Sequence, residues 1–267
     1  MYRLIALDID GTLIDPEGRV SPANRAAIAD ARAAGTAVVL CTGRSWQESE
    51  ELAEEAGCGR KLVCQGGAAL ADLDERRNTR IWEIPQEAAR TLTERLEREP
   101  LGLMLFAGER VLVNPPAEEI FSSYPCDGYH RVKEVVEHPA DYLRTHDLPL
   151  SKIYAQGDPA LFPPILEEVR AFREVDLTSS APYNFEIVPA GVDKGTGLAA
   201  LAAGMGISME EVIAIGDSDN DRGMLAVAGM PVAMGNADPA IQAMARYVTD
   251  TNRADGVAKA IRYLLNL

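Results

Sequence analysis

The sequence predicts an α/β fold built on a parallel sheet, with a second α/β unit inserted into it. Three observations carry that prediction. Short apolar runs alternate with capped helical patterns up to about residue 65, the same alternation returns after residue 189, and the stretch between is organised differently. A helix between successive strands carries the chain back to the starting edge, so the strands run parallel with right-handed crossovers and helices cover both faces.

The chain opens with "LIALDID", an apolar run that stops at Asp8 and Asp10. Residues two apart on a strand face the same way, so the two carboxylates would repel each other, and a cation or a shared proton is expected beside them. In "SPANRAAIADARAAG", Ser21 reads as an N-cap, Pro22 as the first helical residue and Gly35 as the stop. "TAVVLC" is a β-branched strand buried on both faces. "SWQESEELAEEAG" sets Ser45 and Glu48 at capping-box spacing and ends at Gly57, and "KLVCQ" is a third strand.

The pattern loosens from Ile81 to Val188. "RIWEI", "LGLMLFA" and "RVLVN" read as strands, with a helix over Gln86–Glu99, and the last two strands are joined by a Gly-Glu turn as an antiparallel hairpin. A proline-interrupted stretch leads to strand "KIYAQ", helix "PPILEEVRAF" and strand "NFEIVP". Alternation then resumes through "GLAALAAGMG", "EVIAIGD", "RGMLAVAG", "VAMGN", a helix after Asp238, "YVT" and a helix ending "AIRYLLNL". The expected domains are therefore a core of residues 1–80 and 189–267 and an insert of residues 81–188.

Composition bounds the function. A formal net charge of -15 makes nucleic-acid backbones and anionic membranes poor partners, since both reward basic patches. No apolar run approaches the roughly 18 residues of a membrane span. The N-terminal apolar run meets Asp8 too early for a signal peptide. Cys41, Cys58, Cys64 and Cys126 show no paired spacing, as expected of free thiols in a reducing cytoplasm.

Open parallel sheets bind ligands beyond the carboxyl ends of their strands. Those ends carry Asp8 and Asp10, Thr42 in "CTGR", and Asp217, Asn220 and Asp221 in "GDSDND", while Lys194 starts the helix after the insert. A lone strand-end aspartate is usually a cap or turn former; the whole set at one rim is not. "DSDND" mimics the start of a calcium loop, but Arg222 and Ala228 stand where that loop needs glycine and glutamate. His130, His138 and His146 all fall in the insert, so a Ser-His-Asp triad on this rim is excluded.

Taken together and in order, "DIDGT", "CTGR", Lys194 and "GDSDND" resemble the four motifs of the haloacid-dehalogenase-like phosphatases. "VAMGNA" and "DGVAKAI" further resemble the Cof-type branch, whose members carry an α/β cap between the second and third motifs. The resemblance implies a Rossmann-like core with a class IIB cap, and a Mg²⁺-dependent phosphatase acting on a small phosphorylated metabolite such as a sugar phosphate. It implies Asp8 as nucleophile forming an aspartyl-phosphate, and Asp10 as the acid that protonates the leaving oxygen and the base that activates water. Mg²⁺ would sit on Asp8, Asp10 and Asp217, with Asp221 binding a metal water or Lys194. Thr42, Lys194, Asn220 and backbone N–H groups at Gly11 and Gly43 would hold the phosphoryl oxygens. A phosphomutase of the phosphomannomutase type is the nearest alternative, and a catalytically silent phosphoester-binding regulator the next. A dehalogenase would lack Asp10. Two positions depart from the branch pattern: Gly66 stands where asparagine is usual and Asp193 where serine is usual. Tyr124, Tyr129, Arg131, Lys133, Lys152 and Tyr154 of the insert are candidate cavity residues without an assigned role.

Overall fold

The computed structural model describes all 267 residues. Strand β1 (Leu4–Leu7), helix α1 (Pro22–Ala33), β2 (Ala37–Leu40), α2 (Trp46–Ala56) and β3 (Lys61–Cys64) follow one another as their caps dictate. The Ser21 hydroxyl accepts from the Asn24 N–H, and Ser45 and Glu48 form a reciprocal capping box, so each helix starts where its first unpaired N–H groups are met. Gly57 closes α2 in the left-handed conformation.

Two elements differ from the sequence expectation at this junction. The chain turns back after β3 into β4 (Ala69–Asp72) and β5 (Arg77–Ile81), an antiparallel three-stranded sheet. It touches the parallel sheet through one bridge, Cys41 to Val63. The "RIWEI" strand therefore begins earlier, and β4 escaped notice because its alanines carry little strand propensity.

The middle of the chain supplies α3 (Gln86–Leu96), β6 (Gly102–Ala107), β7 (Arg110–Val113), α4 (Pro115–Ile120), α5 (Asp127–Val132), β8 (Lys133–Val135), α6 (Pro139–His146), β9 (Leu150–Gln156), α7 (Phe162–Arg170), β10 (Val175–Thr178) and β11 (Asn184–Pro189). Its six strands form one sheet in the order β10-β11-β9-β6-β7-β8, antiparallel except at β7-β8. The proline-interrupted stretch is thus three short helices and a strand. Prolines at the first turns of α4 and α6 start these helices rather than break them.

The chain then returns through α8 (Lys194–Gly204), β12 (Val212–Gly216), α9 (Arg222–Val227), β13 (Met230–Ala233), α10 (Pro239–Gln242), β14 (Tyr247–Val248) and α11 (Gly256–Leu265). The main sheet, ordered β14-β13-β12-β1-β2, is wholly parallel. Strand alternation splits β1 between two cores: Ile5 and Leu7 pack with α1, α2 and α11, while Leu4 and Ala6 pack with α8 and α9. Each fully buried Leu or Ile contributes about 1.5–3 kcal/mol, so this central strand is held from both sides. No helix is long and apolar enough to cross a membrane.

The inserted sheet has unequal faces. In β6, β9 and β11 odd-numbered residues, such as Leu103, Leu105, Ile153, Phe185 and Ile187, pack under α3, α6 and α7. Even-numbered ones turn toward the carboxyl ends of the parallel strands, with Met104 opposite Tyr154 and Tyr154 opposite Glu186. That alternation makes the insert a roof over the rim.

Candidate active site

Strands β1 and β12 are neighbours, so the residues that follow them meet. Lys194 Nζ, at the start of α8, lies 2.5 Å from Asp8 Oδ1 and 2.6 Å from Asp221 Oδ1. The other Asp221 oxygen accepts from the backbone N–H groups of Asp217 and Ser218 at 2.8 and 3.0 Å. Thr12 donates to Asp217 Oδ1 at 2.9 Å. The fit depends on glycine: a Cβ at Gly11, whose φ is +85°, would sit 2.3 Å from Asp217 Oδ2.

Three carboxylates share one ammonium here. Burial and the neighbouring Asp221 charge push the Asp8 carboxyl well above the ordinary range, against the pull of Lys194. Burial, again followed by Asp221, pushes Asp217 up to about 7. Burial alone would lower Lys194, but Asp221 and Asp8 outweigh it and hold the ammonium charged. Carboxylate oxygens of Asp8, Asp217 and Asp221 all lie within 4.8 Å of one another. An all-oxygen set with surplus negative charge fits a hard divalent cation.

The opening expectation about Asp10 needs correction. The strand ends at Leu7, and Asp8 begins a turn over Ile9–Leu13 in which Asp10 has φ −79° and ψ 116°. Strand alternation therefore does not govern the pair. Asp8 is buried, whereas the Asp10 side chain is exposed and clasped by Arg44, which donates from Nε at 2.9 Å and from Nη2 at 2.5 Å. The cation beside Asp10 is an arginine that sequence reasoning missed. "CTGR" placed it at the rim, but nothing in the spacing tied it to Asp10.

Thr42 is buried, and its hydroxyl accepts from the Arg44 N–H at 3.2 Å, leaving its own hydrogen free. Asn220 is oriented by the Ser218 hydroxyl at 2.9 Å. Asp193 caps α8 by accepting from the Thr196 N–H, which a serine could also do. Gly66 has φ +70°, and a Cβ there would make ordinary contact with Val188 and Glu186, whereas one at Gly67 would sit 1.8 Å from the Asp193 carbonyl oxygen.

A cavity of about 500 Å³ joins this rim to the roof. Asp8, Asp10, Gly43, Arg44, Ser218 and Asn220 line its floor, and Phe106, Phe121, Tyr124, Lys152, Tyr154 and Gln156 belong to its roof. Of the six insert candidates, Tyr124, Lys152 and Tyr154 line it. Tyr129 is buried beneath them, and Arg131 and Lys133 pair with Glu51 and Glu118 outside it. Asn184 and Glu186 were missed, although the polar positions alternating in "NFEIVP" signalled them. None of the three histidines reaches the cavity wall.

Comparison with known proteins gives the family and the fold. The family model for haloacid dehalogenase-like hydrolases matches residues 5–261. A 5-amino-6-(5-phospho-D-ribitylamino)uracil phosphatase of Bacillus subtilis is 33% identical over 98% of this chain and 95% of its own length. A haloacid dehalogenase-like hydrolase of B. subtilis has a similar structure at a TM-score of 0.88, with 27% identity over 98% of this chain and 99% of that one. A subclass IIB sugar phosphatase shares the fold at a TM-score of 0.85 and 22% identity, covering 99% of this chain and 100% of that one.

Proposed function

Because this chain belongs to the haloacid dehalogenase-like hydrolases, we propose that it is a capped member of their Cof-type, subclass IIB branch and hydrolyses a small sugar or polyol phosphate through an aspartyl-phosphate on Asp8. Its relatives are phosphatases, and so is this enzyme; substrate, metal and residue roles are the proposal. The observation that carries it is the Lys194–Asp8–Asp221 cluster opening into a cavity roofed by the insert. We assign residues 81–188 as the cap and the rest as the catalytic core.

Lys194 occupies one Asp8 oxygen, Oδ1, and the other makes no hydrogen bond within the chain, which leaves it to attack phosphorus. Asp10, on the cavity wall, protonates the leaving oxygen and then takes a proton from water. Thr42 and the N–H groups near Gly11 and Gly43 hold phosphoryl oxygens, with Asn220 alongside. Asp8, Asp217 and the Asp10 carbonyl would hold Mg²⁺, which would supply charge neutralisation for phosphoryl transfer, while Asp221 fixes Lys194 beside Asp8. The cap keeps bulk water out during transfer.

Hydrolysis is favoured over mutase action. A mutase must bind phosphate at both ends of a sugar, which calls for arginines at the far end. The one arginine on the cavity wall is Arg44 of the core; no cap arginine is there. Asp8→Asn is expected to lose about 10³-fold or more in kcat while staying folded. Beryllium fluoride should add to the Asp8 carboxylate, and EDTA should abolish phosphate release until Mg²⁺ is restored. An adduct on another residue, or full activity without metal, overturns the assignment.

A further inference from the structure

The cavity holds few cations, and each already has a partner. Arg44 gives both faces of its fork to Asp10. Lys152 Nζ lies 2.6 Å from Glu186 Oε2 and donates to the Gly43 carbonyl at 2.9 Å. Cap arginines are spent elsewhere: Arg95 on Glu168, Arg110 on Glu134, Arg144 on Glu94. The wall meanwhile carries four carboxylates, Asp8, Asp10, Glu48 and Glu186, against those two cations. Lys194 is buried on Asp8 and Asp221, so the positive charge of the floor is directed at one phosphoryl group.

Glu186 is the carboxylate of that set that belongs to the roof. Its Oε2 is buried and accepts no hydrogen bond, although Lys152 Nζ lies 2.6 Å away as an ion-pair partner. Around it the roof offers uncharged groups. Tyr154 donates to Gln156 Oε1 at 2.7 Å and accepts from Asn184 Nδ2 at 3.2 Å, while the Gln156 amide nitrogen has no partner within the chain. Phe121 and Tyr124 face the same space with rings 5.7 Å apart, edge to face.

We propose that this roof is a charge filter. It admits phosphomonoesters whose leaving group is uncharged, bearing hydroxyl or N–H groups and some apolar surface, and rejects those carrying a carboxylate or a second phosphate. A second anion would be desolvated beside these carboxylates with every nearby cation already engaged and none free to meet it. This deepens the hydrolase reading above and rests on it.

The test compares kcat/KM within matched pairs in Mg²⁺: glycerol 3-phosphate against 3-phosphoglycerate, and fructose 6-phosphate against fructose 1,6-bisphosphate. The uncharged member of each pair should be preferred by about tenfold or more. Glu186→Gln frees Lys152 and should shrink that preference by about tenfold. Gln156→Lys, which adds a cation without removing the buried pair, should shrink it too and serves if Glu186→Gln does not fold. Equal rates within the pairs, or a preference that neither folded variant changes, overturns the filter. Hydrolysis of p-nitrophenyl phosphate separates the two readings. If it proceeds while the pairs are equal, only the filter falls; if no phosphate is released from any ester, the hydrolase reading falls and the filter with it.

Discussion

Arg44 engages both oxygens of Asp10, and that contact decides how the carboxyl presents itself to a leaving group. The Asp10 side chain is 58% exposed, so the pair adds little to stability, about 0–1 kcal/mol. Its effect lies in aim: the planar fork fixes the carboxylate plane, and a lysine would hold only a point. Burial alone would lower the Arg44 pKa, but Asp10 outweighs it and keeps the guanidinium charged. Arg44→Lys is expected to lower kcat for alkyl phosphates about 10–100-fold, a part of the roughly 10²–10⁴-fold that a well-placed general acid contributes. p-Nitrophenyl phosphate, whose leaving group needs no protonation, should suffer far less. A uniform loss on both substrates would mean that Arg44 serves the phosphoryl group rather than Asp10.

Helix α5 shows how one short element sets the position of the cap. Its Gly128 packs so closely on α2 that a Cβ would sit 2.4 Å from the Gln47 carbonyl oxygen and 2.9 Å from Glu48 Cα. Both neighbours are backbone and cannot swing aside. The same contact is pinned by Cys126, which donates to the Glu48 carbonyl, and by Trp46 and Gln47, which donate to Glu109 at the β6–β7 turn. Gly128→Ala should therefore lift the cap from the core, costing about 1–3 kcal/mol of docking. KM for small phosphate esters should rise while the parallel sheet stays folded, with faster proteolysis at the cap boundaries. Unchanged KM and unchanged protease resistance would show that α5 does not set the cap. A six-residue helix among prolines has no hydrophobic period long enough to reveal it in the sequence.

At the scale of the molecule, the acidic cluster links folding to metal and pH. Asp217 stands at about 7 in the folded chain against an ordinary 3.8, so the folded state keeps a proton that the unfolded state releases between those values. Its contribution to stability is present below that interval and is lost as pH rises through about 7. The divalent cation proposed for this site would remove the cost by taking the proton's place. Mg²⁺ should therefore raise Tm more at about pH 8 than at about pH 5, and Asp217→Asn should flatten the difference. Thermal melts of the wild type and this variant, with and without metal, check it. An Mg²⁺ increment that is the same at both pH values would remove Asp217 from the metal site.

Reading the chain alone determined the parallel core, the place of the insert and the rim aspartates. Each is written in local signals: caps at Ser21 and Ser45, β-branched runs, and "DIDGT", "CTGR", Lys194 and "GDSDND" at the ends of those runs. It also led to the expectation of a cation beside Asp8 and Asp10, through a strand alternation that the turn after Leu7 does not follow. Only the tertiary structure decided which cation serves which carboxylate, giving Lys194 to Asp8 and Arg44 to Asp10. It likewise decided that Asn184 and Glu186 face the cavity while Arg131 and Lys133 do not. The physical reason is one of range. Caps and periodicity act over a few residues, whereas the Lys194–Asp8 contact spans 186 residues and the Lys152–Gly43 contact 109. Such contacts exist only once the sheet and its roof have been brought face to face.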